Sequence, residues 1–156
     1  MSRVAIEHIP FGASSSAACA PILAACHAVR RIVFVDEQQV EAALEWDDLD
    51  ELAEHFLARR EDDGTPVGTA RLRIVGGHAK AERVAVHATA RKRGVGRLLM
   101  AALADRAREE GCDEVVLHAQ LAALPFYEAL GYEAEGPVFE EAGIDHRKMR
   151  RRLRAH

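Results

Sequence analysis

No stretch of this sequence stays apolar for long. The richest, Ala17 to Ala28, is interrupted by Pro21 and His27, and it falls short of the about 20 apolar residues that a bilayer crossing needs. The charges before it are mixed (Arg3, Glu7) and a helix-like pattern continues into Arg30 and Arg31, so it reads as part of the fold rather than as a leader. Cysteine is scarce. Cys19, Cys26 and Cys112 are odd in number and form no CxxC pair, which excludes a disulfide framework and a structural zinc site and points to reduced thiols in the cytoplasm. An excess of positive charge is also missing: 21 Lys and Arg against 25 Asp and Glu leave a net charge of −4, which disfavours a protein that coats nucleic acid. The basic run Arg147 to Arg154 has no interleaved aromatic and reads as a strand end before it reads as a nucleic-acid contact. Repeats and low-complexity tracts are absent.

What remains is 156 residues, 49% hydrophobic and 29% charged, enough for one sizeable core and too few for two ordinary domains. A single domain over residues 1–156 is expected. Alternation marks a strand at Val4 to Ile9, and Pro21 suits the first turn of a helix that should run to about Phe34. A polar, acidic segment, Glu37 to Glu54, follows. Phe56 to Arg60 and Val67 to Val75 read as a hairpin around Asp62-Asp63-Gly64-Thr65-Pro66. Lys80 to His87 reads as a further strand. Val95, Leu98, Leu99, Ala102, Leu103 and Ala107 then form one apolar helical stripe, closed by Gly111. After it come a strand at Val115 to Ala119, a short helix at Ala122 to Leu130, and strands at Tyr132 to Phe139 and His146 to Leu153. The order is mixed β and α.

Arg91-Lys92-Arg93-Gly94-Val95-Gly96 lies between a strand and that amphipathic helix. The first N–H groups of a helix lack intrahelical partners, and its N-terminus carries partial positive charge, so such a turn suits an anion. The spacing matches neither a P-loop nor a dinucleotide turn, whose third glycine would fall at Leu99. RxxGxG after the strand Glu82-Arg83-Val84-Ala85-Val86 resembles instead the acetyl-CoA signature of the GCN5-related N-acetyltransferases. Gln120-Leu121-Ala122-Ala123-Leu124-Pro125-Phe126-Tyr127-Glu128-Ala129-Leu130-Gly131-Tyr132 is similar to that family's later signature, and Val67 to Arg73 to its third strand. Arg30 to Gln38, Glu45-Trp46-Asp47 and Glu141 to His146 resemble the ElaA/YjcF-type branch.

The resemblance implies an α/β (α+β) acyl-CoA acyltransferase fold. Its sheet would be mixed and mostly antiparallel, flanked by helices, with parallel strands around Val84 and Val116 splayed to admit the CoA arm. The implied chemistry is transfer of an acetyl group from acetyl-CoA to a primary amine in a ternary complex. Backbone groups of Val84, Ala85 and Val86 would hold the pantetheine arm, and Arg91, Lys92, Arg93, Gly94, Val95 and Gly96 the pyrophosphate. Gln120, where the family usually has Asn, and Ala123 would complete the cofactor contacts, and Tyr127 would protonate the leaving thiolate. Simple alternation puts Glu82 on the same face as Val84 and Val86. Desolvation among those valines would raise its pKa and make it the base, with His118 as the second candidate. The acidic run Glu45 to Glu51 could favour a cationic amine. Asp47, Asp48, Asp50 and His55 match no metal-ligand loop, so no metal is expected. The competing reading is a non-catalytic acyl-CoA sensor. The acceptor would be a small molecule or a peptide amine, and a homodimer is compatible with these features.

Overall fold

The computed structural model describes residues 3–153; Arg154, the end of the basic run, lies outside them. Seven strands form one sheet: β1 (Val4–Ile9), β2 (Glu54–Arg60), β3 (Pro66–Val75), β4 (His78–Val86), β5 (Glu114–Gln120), β6 (Glu133–Glu141) and β7 (Ile144–Arg152). Their order is β1-β2-β3-β4-β5-β7-β6. Short hairpin links, Gly76-Gly77 with both residues left-handed (φ 58° and 78°) among them, make β2–β3, β3–β4 and β6–β7 antiparallel. The exception follows from a helical crossover between β4 and β5, which makes that pair parallel. The mixed, mostly antiparallel sheet expected from the sequence is therefore present, and its one parallel pair lies where the resemblance placed it.

Helix α3 (Val95–Glu109) is that crossover. It buries Val95, Leu99, Met100, Leu103, Ala104 and Ala107, and most of these join Val67, Leu72, Ala81, Val115 and Leu117 in the main core. Burying each of the larger side chains is worth roughly 1.5–3 kcal/mol. Its close approach to β3 requires Gly68, where an added Cβ would stand 2.9 Å from both Leu99 and Val95. The short helix α4 (Leu124–Ala129) packs on the same face and delivers Tyr127 to the core.

Helix α1 (Ala20–Arg30) packs against β2, β3 and β4. It does not remain α-helical to Phe34. A π-helical turn covers Arg31–Glu37, and Val33 and Phe34 pack with Val29 against Ala85 of β4. The acidic segment then holds the one-turn helix α2 (Ala42–Glu45) and a 3₁₀ turn, Asp50–Leu52. His55 belongs to β2: it is buried, and its Nε2 lies 2.9 Å from the Asp50 carbonyl.

Candidate active site

β4 and β5 pair only from Ala79–Ala81 against Val115–Leu117, although both strands continue in the same direction. Past that point they diverge, leaving a cleft of about 650 Å³. A bulge explains the divergence. Thr69 faces Ala85 and Arg71 faces Glu82, so two steps on β3 oppose three on β4, and Arg83 takes a left-handed φ of 53° to absorb the extra residue.

The bulge corrects the alternation expected for Glu82. Glu82 shares the α1 face with Ala85, while Val84 and Val86 pack toward the α3 core. It also aims the backbone. His87 N–H donates to the Val67 carbonyl at 2.7 Å, so two residues along the ladder Ala85 sits in a bonded pair and Val86, opposite Gly68, in a non-bonded one. The Val86 N–H and C=O therefore point into the cleft, where Arg91 Nε donates to the carbonyl at 3.0 Å.

The anion-ready end lies at the start of α3. Gly94 caps the helix with φ 84° and no side chain, and an added Cβ there would meet nothing within 4 Å. The first bond back into the turn runs from Leu98 N–H to the Gly94 carbonyl, 3.1 Å, so the N–H groups of Val95, Gly96 and Arg97 precede the helical ladder. Lys92 and Arg93 are exposed beside them, as is Arg97, which the sequence reading missed. Two expectations change here. Arg91 is not a free cation: it grips Glu37 in two bonds of 2.6 and 2.7 Å, and that bond lowers the Glu37 pKa and raises that of Arg91. Gly96 does more than clear space for a ligand, because an added Cβ would stand 2.9 Å from the Phe126 ring.

The acid and base candidates stand on opposite faces of the sheet. Tyr127 is buried on the α3 face, edge-on to Phe126 and Tyr132, and burial pushes its phenol far above the ordinary range. It therefore keeps its proton at neutral pH. On the α1 face Glu82 accepts from Arg73 at 2.6 and 3.0 Å and from Arg71 at 3.0 Å. Burial alone would raise the Glu82 pKa, but the two guanidiniums outweigh it and leave the pKa lowered. The expected desolvated, basic carboxylate is thus corrected to a fixed anion.

The acidic run is committed in the same way. Arg30, itself 1% exposed, holds Glu45 at 2.7 Å and Asp50 at 2.8 Å. Arg71 holds Asp47 and Asp50, and Arg83 holds Glu45 and Asp47. Glu45 to Glu51 is therefore largely neutralised inside the fold rather than offered to a cationic amine. Among the described residues no group of His, Cys, Asp and Glu has a metal-holding arrangement.

β5 presents His118 and Gln120 to the cleft. Gln120 Nε2 donates to Gln38 Oε1 at 2.8 Å, so the amide expected on the cofactor ties the π-helical turn to the fork. Ala123 also lines the cleft, as do Val84, Ala85, Val86 and Tyr127. Lys80, Glu141 and His146 line it too. From the sequence, Lys80 reads as part of a strand and Glu141 to His146 as a branch-like segment, with neither assigned to the cleft.

The model of the acetyltransferase (GNAT) family matches residues 22–132. The uncharacterized N-acetyltransferase YjcF of Bacillus subtilis (strain 168) is 40% identical over 122 residues, 78% of this chain and 86% of its own length. An acyl-CoA N-acyltransferase from Pseudomonas aeruginosa superposes with a TM-score of 0.77 at 29% identity, over 97% of this chain and 99% of that one. Escherichia coli ElaA does so with a TM-score of 0.78 at 26% identity, over 96% and 99%.

Proposed function

Because this chain belongs to the acetyltransferase (GNAT) family, in its ElaA/YjcF-like branch, and is an acyltransferase, we propose that it moves an acetyl group from acetyl-CoA to a primary amine. The observation that carries this reading is the fork between β4 and β5, opening beside the N-terminus of α3, which no side chain caps. The pyrophosphate would lie on the N–H groups of Gly94, Val95 and Gly96, with Lys92 and Arg93 supplying charge. The pantetheine amides would pair with the free backbone edge of Val84 to Val86, and the Val86 N–H would polarise the thioester carbonyl.

The amine then attacks from the α1 face. Its nitrogen bonds to the carbonyl carbon and gives up one proton to a base on the α1 face, the C–S bond breaks, and the thiolate takes the Tyr127 proton on the α3 face. Separate faces keep the two proton transfers from competing. Glu82, held ionised by Arg71 and Arg73, is a poor proton acceptor. Its Oε2 meets Arg73 at 3.0 Å, and we assign it to orient an N–H of the acceptor. The three cysteines are free, and together with an acetyl-CoA co-substrate they support a cytoplasmic protein acting on a small-molecule or peptide amine.

Calorimetric titration with acetyl-CoA tests the reading. Binding in the micromolar range is expected, abolished by Gly94→Glu, which sets a carboxylate where the pyrophosphate should lie. No binding by the unaltered protein overturns it.

A further inference from the structure

On the α1 face, opposite Glu82 across the fork, three titratable side chains form a connected set. His118 Nδ1 lies 3.2 Å from Glu141 Oε1. His146 Nε2 lies 3.8 Å from Glu141 Oε2, and its Nδ1 is 2.6 Å from the Ile144 carbonyl. Phe139 stands between the two rings, edge-on to His118 at 4.9 Å and stacked on His146 at 5.9 Å. The sheet register explains the meeting. His118 is opposite Lys148 and Gln120 opposite His146, while His146 is opposite Phe139 and Ile144 opposite Glu141.

Resting on the acyl-transfer reading, we infer that His118, oriented by Glu141, is the group that takes the proton from the acceptor amine. A carboxylate on Nδ1 favours the tautomer with its proton there and leaves Nε2 bearing the lone pair, and it stabilises the imidazolium once that nitrogen is protonated. Glu82 lacks this capacity, because accepting a proton would forfeit its contacts with two guanidiniums. In the step, the N–H bond of the attacking amine breaks and Nε2 gains the proton. The amine electron pair becomes the new C–N bond, and the imidazolium returns its proton to solvent through the exposed Glu141 edge. The charged groups facing His118 are Lys148 on β7, itself 3.5 Å from Glu135 of β6, Glu141 on β6, and Lys80 and Glu82 on β4 across the cleft.

Nitrogen-15 NMR of histidine-labelled full chain reads the tautomer without any acceptor. The neutral His118 ring is expected protonated on Nδ1, with Glu141→Leu, which leaves no acceptor there, shifting it toward Nε2–H. A ring that is Nε2–H from the start, or indifferent to Glu141→Leu, overturns the inference. The kinetic arm follows CoA release from acetyl-CoA with the best acceptor from a panel of simple alkylamines. His118→Gln should lower kcat roughly a hundredfold, a typical general-base contribution, with the KM for acetyl-CoA unchanged. Undiminished kcat in His118→Gln overturns the assignment. Failure of every amine with the tautomer result intact would count against the acyl-transfer reading alone.

Discussion

A phenol buried without a charged neighbour and a carboxylate clamped by two guanidiniums differ in what they can exchange. Tyr127 holds its proton until a thiolate develops beside it, whereas Glu82 is ionised throughout. Tyr127→Phe should therefore lower kcat by about a hundredfold while leaving the acetyl-CoA dissociation constant unchanged, because only the transition state gains from the proton. Single-turnover kinetics with parallel calorimetry checks this, and equal turnover would remove the hydroxyl from the mechanism. The position of Tyr127 was legible because its spacing to Gln120 and Gly131 is local. The state of Glu82 was not. It depends on Arg71 and Arg73 from the neighbouring strand and on an extra residue near Arg83, and no periodicity within β4 reports either.

Elements fixed by their own pattern were read well, and those fixed by distant partners were not. β1 matches its expected span, and Val95, Leu99, Leu103 and Ala107 of the α3 stripe are buried as expected, but Leu98 is exposed and Met100 and Ala104 take the remaining buried places. The segment between α1 and β2 takes its form from Arg30, Arg71 and Arg83, which come from three other elements, so its own letters read only as polar and acidic. The contact between α3 and α4 carries a similar hidden constraint. With Phe126 at 2.9 Å from the position of an added Cβ, Gly96→Ala should destabilise the protein by about 1–3 kcal/mol, the usual range for overpacking. Pairing it with Phe126→Leu should recover most of the loss. Urea unfolding of the two variants separates this from a purely cofactor-facing glycine, for which the single change would cost little stability and the second would restore nothing.

At the scale of the molecule, the two halves of the sheet meet along a short parallel ladder, in the core under α3 and through the Gln38–Gln120 bond, while a web of ion pairs fastens α1 and the acidic segment to β3 and β4. Desolvation opposes ionisation throughout that web, yet the arginines hold Asp47 down to about 2 and lower Asp50 and Glu82 as well. A carboxylate whose folded pKa is depressed contributes stability that is present above its unfolded value and is lost as pH falls toward the folded one. For Asp47 that window runs from its ordinary 3.8 down to about 2. Glu45 acts in the opposite sense: burial raises its pKa despite Arg30 and Arg83, so protonating it relieves a cost and offsets part of the loss. The melting temperature should therefore hold near neutrality and fall steeply below about pH 4. Arg71→Met removes the partner shared by Asp47, Asp50 and Glu82. It should cost about 3–5 kcal/mol at pH 7, as uncompensated buried charges do, and should flatten the acid limb because those carboxylates return toward their ordinary values. Thermal melts of both proteins from pH 7 to pH 2 decide the matter: an equally steep acid limb in Arg71→Met would mean that the acid sensitivity arises elsewhere in the fold.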